Sequence, residues 1–364
     1  MHELTDAATA PGAVVRRPGV ARSLRAVASG GRDAWYGGEF GEGLVRLPGS
    51  TITEADLAKS QADLVEPLGL DAWGHRIWTV PPNSQGYLAL AGAWVAARLA
   101  LPDDPDDPAW PHLLAEAMAE VSLDRSAVLH EAADGTALLG DQRLGDAFAL
   151  IDPTRTRSDR TAPPRAPGDT TYLCVVDRDR TGVSLIQSNA SGFGSWMVEP
   201  STGVNLHNRG LGFSLVPGHP AEYGPGRRPP HTLAPALVTA PGGRLRTVLG
   251  TMGGDAQPQV VLQLLARLLH HGQSPATAIA AGRFAWAGTS GFDTWAPGGA
   301  PELRIEGQSP ERWDELSSFG HRSTRVGSFD SGFGHAHLID VVPNGSLAGA
   351  ADPRARVGGT AGVW

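Results

Sequence analysis

The stretch Asp169-Thr170-Thr171-Tyr172-Leu173-Cys174-Val175-Val176-Asp177 decides how the rest of the chain is read. A Pro/Arg-rich ramp from Arg157 to Gly168 precedes it and reads as an extended linker. Beyond it the pattern turns at once to apolar β-strand, with a second strand from Val183 to Gln187. A threonine at the entrance of a core strand, just after a connector, is the layout of a nucleophile freed by peptide-bond cleavage. The new α-amine then takes the hydroxyl proton, directly or through water, whereas the uncut amide nitrogen cannot. Most strand threonines are present only because a β-branched side chain suits a pleated sheet. Thr171 is eligible on the same grounds as Thr170, and local pattern does not separate them.

Composition narrows the partners. The 364 residues carry a formal charge of -8, which disfavours a nucleic-acid surface and points to metabolites or proteins. The single cysteine, Cys174, excludes an intramolecular disulfide and a clustered thiolate site, and its neighbours read it as a small buried hydrophobe. The N-terminal Met1-His-Glu-Leu-Thr-Asp6 lacks an apolar signal region, and the apolar stretch Tyr87 to Leu101 contains Arg98 and is short for a bilayer. The expectation is a cytoplasmic protein with no membrane or nucleic-acid partner.

Before the linker the pattern is mainly helical. Helices are expected from Gly19 to Gly30, within Arg32 to Leu47, from an N-cap at Thr53 through Asp63, from Tyr87 to Leu99, from Trp110 to Met118 and from Arg143 to Leu150. A strand is expected between Trp73 and Val80, stopped by Pro81-Pro82. After Thr170, short strands are expected at Phe193 to Val198, Thr202 to Leu206, Ala236 to Thr239 and Leu245 to Leu249. Helices follow at Gln259 to His270 and near Pro275. Ser309-Pro310 reads as the N-cap and first residue of a helix over Glu311 to Ser317, and a late strand covers His335 to Val342, with a return over Gly345 to Ala350. The half after Thr170 reads as a layered α/β or α+β domain whose core sheet starts at the threonine, and α+β is the class expected for the chain.

Three further features bear on chemistry. Gly253-Gly254 lies at a strand-to-helix junction, where adjacent N–H groups can hold a developing oxyanion, or where glycine simply serves a positive φ. Ser188 ends the second strand of the hairpin, beside Thr170 if the strands pair as read; a serine there also commonly just satisfies a strand end. Among twelve histidines, His335 and His337 are expected on one strand face and His270-His271 at a helix end. No His-x-x-x-His pair occurs on a helix, so the reading is structural histidines with no metal and no cofactor. Arg227-Arg228 reads as a solvated loop.

From Pro18 to Trp364 the chain resembles the gamma-glutamyltranspeptidase (glutathione hydrolase) family of N-terminal-nucleophile hydrolases. The residues that carry the resemblance are Leu47 to Tyr87 with its Pro-Pro-Asn-Ser-Gln-Gly, Gly168 to Asp177, Phe193-Gly194-Ser195, Gly203 to Phe213, Gly226-Arg-Arg-Pro229, Gly250 to Gln259 and Gly349-Ala-Ala-Asp352-Pro-Arg354. The resemblance implies a four-layer αββα sandwich, incomplete at the N-terminus, and self-cleavage between Asp169 and Thr170. Residues 1–169 would then be the C-terminal part of a large-subunit-like region with the linker, and 170–364 a small-subunit-like catalytic region. It also implies Thr170 as nucleophile, Ser188 as the hydroxyl steadying its amine, and Gly253 and Gly254 as oxyanion holders. The implied reaction passes a gamma-glutamyl or related acyl group to water or an amine.

Departures qualify the substrate. Where the glutathione-cleaving branch holds the amino-acid end of its substrate with an asparagine, a glutamine, an aspartate and a serine pair, this chain has Ala190, Arg209, Gly212 and His231-Thr232. A partner for the substrate ammonium is lost and a guanidinium gained, which looks more like the transpeptidase-like branch that shades into acylases. The alternatives are therefore an acylase for glutaryl-like or other non-glutamyl amides, or an inactive remnant or assembly subunit. The match also lacks about the first third of a family proenzyme, including the arginine that grips the substrate carboxylate. The expectations are a fragment, a separate chain supplying that part, or a degenerate relative, with Arg209 as a candidate substitute. Sheet edges and apolar faces would be left uncovered.

Overall fold

The computed structural model describes residues 12–157, 170–287 and 302–362; Asp169 and most of the linker lie outside them. The chain divides into two compact units, Met1–Leu64 with Phe193–Asn208, and Val65–Gly192 with Arg209–Trp364. These units do not follow the division at residue 169.

The first unit is mostly helical. Helix α1 (Pro18–Tyr36) kinks at Gly31, and α2 (Glu39–Arg46) follows. Trp35 stacks on Phe40 with ring centroids 4.1 Å apart, and Arg22 bonds Glu39 at 2.7 Å. Thr53 is the N-cap as expected and forms a capping box with Asp56, yet α3 (Glu54–Ala58) ends far short of Asp63. It has no buried residue, and five residues without a packed face cannot propagate a helix. The strands expected between Phe193 and Leu206 shrink to one two-residue pair, Val198–Glu199 with Val204–Asn205.

The second unit is mixed α/β. Strand β1 (Leu68–Ala72) makes a hairpin with β2 (His75–Thr79) around Trp73-Gly74. Helices α4 (Tyr87–Ala96), α5 (Ala109–Ser122) and α6 (Asp141–Ala149) follow. The hairpin partners are β3 (Thr170–Val176) and β4 (Gly182–Ser188). Strands β5 (Ala236–Thr239) and β6 (Leu245–Thr251) precede α7 (Gln257–Leu265) and α8 (Pro275–Ala280). The last strands are β7 (Phe284–Ala287), β8 (Glu302–Ile305), β9 (Ser323–Arg325), β10 (Ala336–Val341) and β11 (Leu347–Ala351).

One antiparallel sheet runs β1-β2-β5-β6-β10-β11, and a second, smaller one runs β9-β8-β7. Helices α4 and α7 pack on the large sheet, and α5 packs on both of them. Helix α4 is buried nearly all round, as an unbroken Tyr-Leu-Ala-Leu-Ala-Gly-Ala-Trp-Val run requires. The β3–β4 hairpin lies against β5, β6 and β10, with Tyr172 buried beneath it. Gly250 in β6 makes room for that ring: a Cβ there would sit 2.4 Å from Tyr172 Cε2. Burial raises the pKa of the Tyr172 hydroxyl, which bonds Ser184 Oγ at 2.9 Å. The opposite face of the hairpin is apolar and open, with Leu173, Val175, Val183 and Leu185 each between 43% and 51% exposed. Among the described residues no helix is long and apolar enough to cross a membrane.

Two local expectations are corrected. Pro310, not Ser309, is the N-cap of the 3-10 helix Glu311–Phe319, because its ψ of 139° is extended; Ser309 Oγ instead faces the Arg283 carbonyl. His335 lies just outside β10 and bonds Ser331 Oγ at 2.8 Å, while His337 lies within the strand and stacks beside Tyr172.

Candidate active site

Register decides the first contact. Antiparallel pairing of β3 with β4 sets Thr170 directly opposite Ser188, and the Thr170 hydroxyl donates to Ser188 Oγ at 3.0 Å. Ser188 Oγ also accepts the Ala190 N–H at 2.9 Å, which folds the strand end back over itself. Ala190 is buried at φ 79°, in the left-handed region where a non-glycine residue is uncommon.

The hairpin's footing on β6 then brings in the glycines. Gly182, at the far end of the hairpin, abuts Leu245 and Val248. Ser184 Oγ donates to the Leu249 carbonyl, and Tyr172 covers Gly250. Moving along β3 toward Thr170 therefore moves along β6 toward its C-terminal end, where Gly253 and Gly254 follow. Both glycines are buried and have positive φ, 134° and 56°, which a side chain would resist. They turn β6 into a short 3-10 turn that feeds α7, so the backbone amides sit at a helix entrance.

A second set of residues gathers behind Gly254. The side chain of Gln85 donates to the carbonyls of Thr232 and Gly254 at 3.2 and 3.1 Å. His231 N donates to Asn83 O at 2.9 Å, and Gln85 N to His231 O at 3.0 Å. Asn83 Nδ2 reaches the Pro229 carbonyl, Ser84 Oγ that of Leu233. Gln257 Oε1 accepts the Ala234 N–H at 3.0 Å. The Pro-Pro-Asn-Ser-Gln-Gly stretch is thus a template that holds residues 229–233 by their backbone. Neighbouring Asp255 pairs with Arg125 at 2.9 Å, both buried. Nothing in the sequence spacing singled out Gln85, Asp255 or Arg125 for these places.

Electrostatics follow from that burial. Desolvation, with Arg209 and Arg125 nearby, pushes the His231 imidazole down to about 4. Leu233 N donates to His231 Nδ1 at 3.2 Å, which suits a neutral ring. Burial also pulls Arg209 down to about 10, leaving it charged at neutral pH. Gly212 is packed so tightly that a Cβ would lie 2.2 Å from the Pro230 carbonyl oxygen. This position has no room for any side chain. Cys174 is half-buried, and burial pushes its thiol up to about 11. Arg227 is not in a solvated loop: it bonds Glu131 at 2.9 Å and the carbonyls of Pro220 and Glu222.

The structure thus brings Thr170, Ser188 and Ala190 together at the hairpin end, and ties Gly254 to Thr232. Arg209, Gly212 and His231 cluster around residues 229–232. The cleavage site is described on its Thr170 side alone.

Comparison with known proteins comes from three directions. A profile of the gamma-glutamyltranspeptidase family matches residues 1–362. Oxamate amidohydrolase proenzyme of Klebsiella pneumoniae is 35% identical over 356 residues, 94% of this chain and 65% of that protein. Glutathione hydrolase-like YwrD proenzyme of Bacillus subtilis is 32% identical, over 95% of this chain and 66% of that one. Cephalosporin acylase from Bacillus halodurans superposes with a TM-score of 0.81 at 30% identity, over 94% of this chain and 62% of its own. The chain spans slightly less than two thirds of the length of these relatives.

Proposed function

Because the chain belongs to the gamma-glutamyltranspeptidase family, we propose that it is the catalytic portion of a threonine-nucleophile amidohydrolase activated by a cut between Asp169 and Thr170. The observation that carries this reading is the 3.0 Å bond from the Thr170 hydroxyl to Ser188 Oγ, at the hairpin end nearest Gly253-Gly254. Thr170 Oγ1 attacks the amide carbonyl while the freed Thr170 amine takes its proton. The N–H groups of Gly253 and Gly254 hold the tetrahedral oxyanion, and the protonated amine returns the proton to the leaving group. The resulting acyl-enzyme passes to water or an amine. On this reading the large sheet and the β3–β4 hairpin are the two inner layers of an αββα sandwich.

The same geometry favours acyl groups without an α-ammonium. Gly212 has no space for an ammonium-binding carboxylate, and the nearby charges are the Arg209 guanidinium and the Arg125–Asp255 pair, whose charges offset each other. A terminal carboxylate suits Arg209, whereas an ammonium there would be desolvated beside like charge. Relatives named oxamate amidohydrolase and cephalosporin acylase are consistent with such a pocket. Parallel hydrolysis of glutaryl and gamma-glutamyl p-nitroanilides tests it. Glutaryl is expected to have the higher kcat/KM, by about tenfold or more, with activity abolished in Thr170→Ala. A preference for the gamma-glutamyl compound would overturn the substrate reading, and hydrolysis of neither would remove the enzyme reading for this chain.

A further inference from the structure

One cluster of titratable side chains lies apart from the residues assigned to catalysis. Helix α5 carries His112-Leu-Leu-Ala-Glu116, whose ends project from the same helical face one turn apart. After the 3-10 helix Glu311–Phe319, Gly320 at φ 86° reverses the chain and delivers His321 to that face. His112 Nδ1 and His321 Nε2 are 2.8 Å apart, and the ligand atoms of His112, Glu116 and His321 all lie within 4.8 Å of one another. The three residues are 0%, 0% and 4% exposed.

Their surroundings orient them as ligands are oriented. His112 Nε2 lies 3.0 Å from the Asp152 carbonyl oxygen, which can only accept. The proton therefore sits on Nε2, and Nδ1 presents its lone pair to His321. Glu116 Oε1 accepts the Thr156 hydroxyl at 2.8 Å, which fixes the carboxylate plane. Phe319 stacks on the His112 ring with centroids 4.5 Å apart, and Trp286 lies beside His321 at 5.5 Å. A backbone carbonyl on the outer imidazole nitrogen and a hydroxyl on the carboxylate are the usual outer partners of metal ligands.

We propose that His112, Glu116 and His321 form a binding site for a divalent zinc-class ion that braces α5 against the Asp152–Thr156 segment and the chain after Phe319. Two imidazoles and one carboxylate, with no thiolate, select Zn²⁺ or Co²⁺ over Mg²⁺ or Ca²⁺. In a tetrahedral site with zinc about 2.0–2.1 Å from each ligand, the ligand atoms lie ~3.3–3.4 Å apart. Binding therefore opens the 2.8 Å imidazole pair slightly and draws the Glu116 carboxylate inward. On binding, the hydrogen on His321 Nε2 moves to Nδ1, the His112–His321 hydrogen bond gives way to two metal–nitrogen bonds, and no proton need leave the pair. A search for His-x-x-x-His passes over this site because its second helical ligand is glutamate and its third lies 205 positions beyond that, at His321.

Full-length protein stripped with a chelator and titrated with Co²⁺, then with Zn²⁺, tests the proposal. About one equivalent is expected to bind, with a tetrahedral Co²⁺ absorption band that Zn²⁺ abolishes and a Tm rise of roughly 5 °C at large excess. His321→Gln and Glu116→Gln should each lose the band. Wild-type protein that melts cooperatively but binds no ion would overturn the site, as would undiminished binding by folded His321→Gln. The wild-type titration stands even if a variant fails to fold. None of this depends on Thr170 being active.

Discussion

Gly212 separates a changed pocket from an interchangeable one. Putting back a carboxylate at this position is not a simple exchange, since even the first carbon would meet the Pro230 carbonyl at 2.2 Å. Gly212→Asp is therefore expected to destabilise by about 1–3 kcal/mol and to leave gamma-glutamyl hydrolysis unimproved. Thermal melts with paired kinetics check this, and a stable variant with gained gamma-glutamyl activity would show that the loop yields. Ala190 carries a related mark. Asparagine tolerates φ near 79° better than alanine does, so Ala190→Asn fits this backbone without strain. Thr170 and Ser188 illustrate how far residue-level reading reaches: the strand register brought them opposite each other, but no local pattern distinguished Thr170 from Thr171. Register does so physically, because Thr170 faces inward with Tyr172 and Thr171 is exposed.

At the scale of elements, one side chain in one gap helps seat the β3–β4 hairpin on β6. Tyr172 fills the space above Gly250 and bonds Ser184, and Ser184 in turn reaches the Leu249 carbonyl. Gly250→Val would push the ring off β6 and move Thr170 relative to Gly253-Gly254. The expected result is a loss of about 2–3 kcal/mol in stability together with slowed cleavage before Thr170; unchanged melting and cleavage would mean that the hairpin is held elsewhere. Elements with a strong local signature were legible in the sequence: the hairpin itself, α4 as an apolar run, and α7 after its glycine pair. Those held by distant partners were not. Strand β1, with its Leu-Gly-Leu-Asp-Ala sequence, exists because β2 pairs with it, and β9 pairs in parallel with β8 from across a 3-10 helix. The Pro-Pro-Asn-Ser-Gln-Gly template was recognisable as a motif, yet its work is to bind the backbone of residues about 150 positions away. Periodicity carries no such information.

For the molecule as a whole, the late Asp352-Pro-Arg354 segment closes the second unit with charge. Asp352 pairs with Arg283 at 2.7 Å and Arg354 at 3.0 Å; Arg354 also donates to Glu306 through Nε at 2.7 Å, and all four side chains are almost fully buried. Burial raises the Asp352 carboxyl, but the two guanidiniums and the N–H groups of Ala336 and Arg354 outweigh it and hold its pKa below the usual value. Removing one charge strands the others, so Asp352→Asn is expected to cost about 3–5 kcal/mol in a denaturant melt; a change below 1 kcal/mol would contradict the network's role. The open apolar face of the hairpin belongs to the same scale. There Leu173, Val175, Val183 and Leu185 stay 43% to 51% exposed.

The central claim is that Thr170 becomes an N-terminus. Intact-mass spectrometry of the purified protein, beside Thr170→Ala, tests it most directly. The unaltered chain is expected to give two polypeptides, residues 1–169 and 170–364, and the variant a single uncut mass. A chain that stays whole under prolonged incubation, or one cut at the same place in Thr170→Ala, would contradict it.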